Sequence, residues 1–179
     1  KIIEAEYKAA GMKPEDLQTG AVIITGETAR KHNANMVLAS LSSMAGDFVV
    51  ATAGPDLESV LSAKGAGADA FSEEHRQAVA NIDIGGGTSN IALFQKGNLK
   101  GTSCLDIGGR LIKIENGRIS YIFPKIQKLA EAHGIHIAVG DRAEETVLYK
   151  ICEYMADQLA MAIHAREADS LHAGLYTND

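Results

Sequence analysis

The residues best suited to chemistry are Asp83-Ile84-Gly85-Gly86-Gly87-Thr88-Ser89-Asn90, a carboxylate followed by three successive glycines and three polar side chains. The string lies between two short apolar runs that read as strands, Asn81 to Ile84 and Ile91 to Phe94, and no helical pattern follows it directly. A dinucleotide fingerprint or a P-loop feeds a helix N-terminus, so neither fits. A glycine loop between strands can grip phosphate in another way. Lacking Cβ atoms, its backbone can come close and adopt positive φ, so that successive N–H groups converge on an anion. Gly85, Gly86, Gly87, Thr88, Ser89 and Asn90 are then the phosphate-binding candidates, with Thr88 and Ser89 adding hydroxyl donors. Asp83, at the end of the incoming strand, repels phosphate unless Mg²⁺ lies between, and a carboxylate there can hold hydrated metal directly or through water. The competing reading is a tight hairpin whose glycines supply only turn geometry.

Several elements have to position such a loop. Ile2 to Ala10 has helical spacing and stops at Gly11, with Pro14 beyond. Ala21 to Ile24 and Phe48 to Ala51 are apolar, β-branched runs of strand length. Between them, Glu27 to Ala45 carries a helical pattern ended by Gly46, and Pro55 opens another helix through Leu61 that Gly65 to Ala68 closes. Strand, helix, strand, helix is the rhythm of an α/β layer architecture. Glu74 to Val79 reads as a short helix. The rhythm then becomes an antiparallel meander: the strands flanking the glycine loop, Thr102 to Ile107, and a hairpin turning at Asn116-Gly117, a pair that suits a type I′ turn. Helices return at Ile126 to Ala132 and from about Arg142 to Arg166, where Cys152 sits among apolar residues and is expected in the core.

Composition narrows the function classes. The 179 residues are 46% hydrophobic and 22% charged, as suits a folded chain, and the net charge of −6 draws it to neither nucleic acid nor an anionic membrane. No apolar stretch approaches the roughly 20 residues of a membrane span. Cys104 and Cys152 are far apart, which argues against a disulfide framework or a thiolate zinc site and makes a reducing cytoplasm the default. His133 and His136 have ligand-like spacing without a third partner, so a solvent-facing pair is the preferred reading. There is no initiator Met and the chain opens in a helical pattern, so an internal fragment is expected.

The string Ile82-Asp83-Ile84-Gly85-Gly86-Gly87-Thr88 resembles the second phosphate loop of the actin, Hsp70 and sugar-kinase superfamily. A strand with a Pro-containing turn precedes it at Val49 to Pro55, and a Gly-Gly pair follows at Asp106-Ile107-Gly108-Gly109, both in that superfamily's order. The longer strings Gly20 to Glu27, Gly46 to Pro55 and Asn81 to Asn90 are similar to one narrow family, the ethanolamine ammonia-lyase reactivating factors (EutA family). The resemblance implies an actin-like ATPase (ribonuclease H-like) α/β fold, present in part: a mixed sheet with flanking helices and an antiparallel meander. Residues 1–80 would end the first lobe and residues 81–179 would begin the second.

It further implies ATP or ADP with Mg²⁺ as cofactors and ethanolamine ammonia-lyase, carrying adenosylcobalamin, as the protein partner. The implied activity is an ATP-dependent, chaperone-like release of damaged cobalamin. It would take place in the cytoplasm, with association with the ethanolamine-utilisation microcompartment also open, and the sequence leaves the oligomeric state open. The family's first phosphate loop and adenosine motif are not in this chain, so weak or absent ATP binding is expected of it alone. Where the chaperone ATPases place a Glu before the turn proline, this chain has Gly54. Slow hydrolysis is therefore expected, with Glu27 and Asp56 as candidate carboxylates near strand ends. The alternatives are a sugar kinase, an exopolyphosphatase-like enzyme and an actin-like filament protein. The exopolyphosphatase loop places an acid where this chain has Asn90, which weighs against that enzyme.

Overall fold

The computed structural model describes residues 2–16, 20–24, 36, 48–52 and 54–177. The chain divides into two compact units, residues 1–54 and 55–179. In the first, helix α1 (Ile2–Ala9) buries no side chain, and strands β1 (Gly20–Ile24) and β2 (Phe48–Thr52) pair in parallel with Val22 opposite Val50. The helix expected over Glu27 to Ala45, together with the candidate Glu27, lies outside the described residues.

The second unit is built on the antiparallel sheet β3 (Ala78–Ile84), β4 (Ser89–Gln95) and β5 (Asn98–Leu105), with β4 in the centre. Residues along a strand alternate between the two faces, and directly opposed residues share a face. Helices α2 (Pro55–Gly65) and α3 (Ala68–His75) cover the face that carries Val79, Ala92 and Phe94, with Ala63 and Ala68 packed into it. On the other face, Ile91 and Leu105 join the larger core. That core is completed by Ile107, the hairpin β6 (Ile112–Glu115) and β7 (Arg118–Ile122), and helices α4 (Pro124–Ala132) and α5 (Glu145–Ala162). Each wholly buried Leu or Ile in such a core contributes about 1.5–3 kcal/mol.

The mixed α/β layering and the antiparallel meander match the sequence reading. The turn of β6–β7 has both Asn116 and Gly117 at positive φ, 51° and 73°, as a type I′ turn requires. Some boundaries differ. The short helix expected over Glu74 to Val79 ends at His75, because Arg76 turns left-handed (φ 54°) and the chain is extended from Ala78. Helix α5 is shorter than the apolar pattern implied. Its buried residues are Ile151, Gln158 and Leu159, which leaves Cys152, one residue or about 100° round from Ile151, exposed rather than in the core. His133 and His136 are both exposed; the His133 Nδ1–H donates to the Leu129 carbonyl (2.9 Å), and the ring stacks on Tyr154 at 3.8 Å.

Candidate phosphate-binding site

The glycine string forms the β3–β4 turn. Ile84 pairs with Ser89, and inside that pair the Gly85 N–H donates to the Thr88 carbonyl at 2.8 Å. A second loop, residues 106–110 at the end of β5, lies directly against it. The Gly109 N–H donates to the Gly85 carbonyl (2.9 Å) and the Arg110 N–H to the Gly86 carbonyl (2.7 Å). Ser89, wholly buried, fastens the pair from below by donating its hydroxyl to the Ile107 carbonyl at 2.8 Å.

The glycines do not adopt the positive φ expected of them: Gly85, Gly86 and Gly87 are absent from the left-handed region among the described residues. What the site requires is close approach. A Cβ on Gly108 would lie 2.7 Å from Gly86 C, Gly86 O and Gly87 N, so the two loops touch backbone to backbone. A Cβ on Gly85 would lie 3.2 Å from the Thr88 carbonyl oxygen.

This contact fixes the direction of the donors. In a planar trans peptide the C=O and the next N–H point opposite ways. The carbonyls of Gly85 and Gly86 point at the second loop, so the N–H groups of Gly86 and Gly87 point away from it. Those two, and the N–H of Thr88, have no hydrogen-bond partner among the described residues. Successive free donors at a glycine turn, two of them on its outer side, are the kind of groups from which anion-binding concavities are built.

Asp83 is exposed and carries no ion pair or side-chain hydrogen bond among the described residues. It stands directly opposite Asn90 in the β3–β4 register, so both side chains are on one face of the sheet. Asn90 is buried, and its Oδ1 has no hydrogen-bond partner. A buried, unpaired acceptor costs about 1–3 kcal/mol, so this pair of oxygens calls for a hydrated cation or a water between them. A carboxylate plus an amide oxygen, completed by water, fits Mg²⁺. No group of three or more His, Cys, Asp or Glu converges among the described residues.

Asp56 is in the first turn of α2 and accepts a hydrogen bond from the Thr102 hydroxyl. Thr102 shares the sheet face with Asp83 but lies two strands away, roughly 10 Å across the sheet. The sequence reading overlooked Arg110. Its side chain runs beside Gly86, with Cδ 3.4 Å from where a Gly86 Cβ would be. A basic residue directly after the Gly108-Gly109 pair was the available signal.

Behind the second loop is a polar relay. Lys125 pairs with Asp106 and donates to the Tyr176 carbonyl at 2.9 Å, and the Thr177 hydroxyl donates to Asp106 at 3.0 Å. His172 is buried between Gln158 Oε1 (2.9 Å) and the Tyr176 hydroxyl (3.2 Å). Burial pushes the His172 imidazole below its usual pKa, against the pull of Asp169. Burial would raise Asp169, but hydrogen bonds from Gln158 and from the Leu171 and His172 N–H groups outweigh it and hold this carboxyl below its usual range.

The profile of the family described as "Ethanolamine utilisation protein EutA" matches residues 1–179, the whole chain. The chain belongs to that family. Two relatives, each named ethanolamine ammonia-lyase reactivase EutA, align over 121 residues: 54% identical in Salmonella typhimurium and 52% identical in Escherichia coli. The alignment covers 67% of this chain and 26% of each relative, so the chain spans about a quarter of the length of the curated relatives it matches. Among solved structures, an Aquifex aeolicus Ppx/GppA phosphatase is 18% identical over 90% of this chain and 45% of its own, with a TM-score of 0.46. MreB5 of Spiroplasma citri, solved with ADP, is 13% identical over 97% of this chain and 58% of its own, with a TM-score of 0.41. Likeness at that level carries no functional argument. Among the described residues, no helix is long and apolar enough to cross a membrane.

Proposed function

We propose that this chain supplies one phosphate-gripping wall of an actin-like ATPase that reactivates ethanolamine ammonia-lyase by promoting release of damaged cobalamin, so that intact adenosylcobalamin can bind. Family membership supports the partner and the process. The free, outward-facing N–H groups of Gly86 and Gly87, followed by the free N–H of Thr88, are the observation that carries the nucleotide part of the reading. In this reading the loop donors hold the phosphates of ATP or ADP, and Thr88 adds its hydroxyl. Ser89 and Asn90 shape the floor of the turn. Asp83, with Asn90 Oδ1 beside it, orients Mg²⁺ through water. Bound Mg²⁺ would supply neutralising charge on the phosphates, and the protein residues would set its position.

Residues 1–80 are assigned to the end of the first lobe and 81–179 to the start of the second, and the site of action to the cytoplasm. Asp56 is tied to Thr102 and acts as a helix-to-sheet tether, which leaves Glu27 as the hydrolytic candidate. The reading is tested with the full-length protein, ATP, Mg²⁺ and fresh adenosylcobalamin added to inactivated ethanolamine ammonia-lyase. Recovery of deamination that requires the nucleotide is expected. An equal result without ATP removes the ATPase part, and no recovery removes the reactivase part.

A further inference from the structure

The anion-binding turn is uncharged in itself, and its nearest described carboxylate, Asp83, opposes phosphate. A polyphosphate needs a cation there besides any metal. Lys125, on the far side of the second loop, is occupied by Asp106 and the Tyr176 carbonyl. Arg110 is different. Its backbone N–H is anchored to the Gly86 carbonyl at 2.7 Å, which fixes where the side chain starts. Its stem then lies against Gly86, with Cγ, Cδ and Nε at 3.7, 3.4 and 3.8 Å from the position of a Gly86 Cβ. The residue is exposed, and no carboxylate pairs with its guanidinium among the described residues. An unpaired guanidinium whose stem lies beside Gly86, the first of the free N–H donors, has the chemistry of an oxyanion clamp. Its planar fork matches two phosphate oxygens at once, which an ammonium cannot do.

We infer that Arg110 is a phosphate-binding residue: its guanidinium closes over a nucleotide polyphosphate seated on the N–H groups of Gly86 to Thr88, and offsets the charge that Asp83 brings to the site. This rests on the nucleotide reading of the loop and adds a residue to it. It also gives the Gly108-Gly109 loop a second task, since the backbone contacts that support the phosphate turn also aim the arginine.

The test is calorimetric titration of the full-length protein with Mg-ADP and Mg-ATP at two salt concentrations, for wild type, Arg110→Ala and Arg110→Lys. A charge-assisted bidentate contact is expected to be worth about 10-fold or more in Kd. Arg110→Ala should therefore weaken binding about 10-fold and flatten the salt dependence. Arg110→Lys should keep the salt dependence and recover only part of the affinity. Both variants should unfold at the wild-type temperature, because the side chain is exposed. Wild-type affinity in Arg110→Ala, within about twofold, overturns the assignment while leaving the loop reading intact. No binding of either nucleotide by the wild type overturns both. Full recovery by Arg110→Lys overturns the bidentate clamp.

Discussion

Replacing Gly108 by Ala tests the packing of the two loops most directly. The added methyl would be 2.7 Å from three backbone atoms of the Gly86–Gly87 peptide. Carbon atoms attract best at about 3.5–4.0 Å, so the overlap is close to an ångström, and none of the three atoms belongs to a side chain that could swing aside. Relief requires the loops to part. That in turn lengthens the Gly109-to-Gly85 and Arg110-to-Gly86 hydrogen bonds, now 2.9 and 2.7 Å, and strains the buried Ser89-to-Ile107 bond. Overpacking typically costs about 1–3 kcal/mol and each lost hydrogen bond about 0.5–1.5 kcal/mol. Partial relaxation shares these terms, so the expected loss is about 2 kcal/mol. For a unit of this length that lowers Tm by roughly 6–10 °C.

The protein has no tryptophan, so far-UV circular dichroism during urea and thermal unfolding is the suitable readout. Gly87→Ala is the control. Its Cβ would meet nothing within 4 Å and its φ is not positive, so stability should change by less than about 0.5 kcal/mol. The same methyl would occupy open space beside the free Gly87 N–H and should weaken nucleotide binding in the full-length protein. If Gly108→Ala unfolds within about 0.5 kcal/mol of wild type, the loops are not held in the contact described and the derivation of donor direction fails.

Three further outcomes follow from the same geometry. Asp83→Asn should leave urea stability within about 0.5 kcal/mol, since the carboxylate is exposed and unpaired, while abolishing the Mg²⁺ dependence of nucleotide binding; retained dependence would remove Asp83 from the metal site. Lys125→Met deletes the cation between Asp106 and Tyr176 and strands a largely buried carboxylate, so a loss of about 1–3 kcal/mol is expected in urea unfolding. An unchanged midpoint would show that solvent replaces the pair. The lowered pKa of His172 means that the unfolded chain takes its proton first. Stability due to His172 is therefore complete above the ordinary imidazole value of about 6.5 and falls as pH drops below it toward the folded pKa. Asp169, also lowered, adds a second loss below the ordinary carboxylate value. His172→Gln should remove the first step from a plot of urea midpoint against pH, and a surviving step would assign it to another group.

What could be read in the sequence was local. The strand runs on each side of Asp83 to Asn90, the Asn116-Gly117 turn and the helix after Pro124 are set by side-chain periods of 2.0 and 3.6 residues and by turn chemistry, which act over a few neighbours. The same scale explains the misplacements. A spacing pattern shows that α5 has an apolar side, but which residue meets the core depends on what packs there, and so Ile151 is buried while Cys152 faces out.

The site followed the same division. Its eight residues were legible because they form one continuous string, and the family was legible from that string together with Gly20 to Glu27 and Gly46 to Pro55. Three glycines alone leave a phosphate grip and a plain hairpin about equally open; the longer string resembles a phosphate loop, but the positive φ expected of its glycines is not adopted. What only the tertiary structure shows is how the return of the chain at residues 106–110 orients that turn. Backbone contacts across some twenty positions of sequence turn two carbonyls inward and therefore turn the opposing N–H groups outward, and they bring Arg110 alongside Gly86. No local propensity encodes that, because it is a packing relation between two loops that come together only once the sheet has formed.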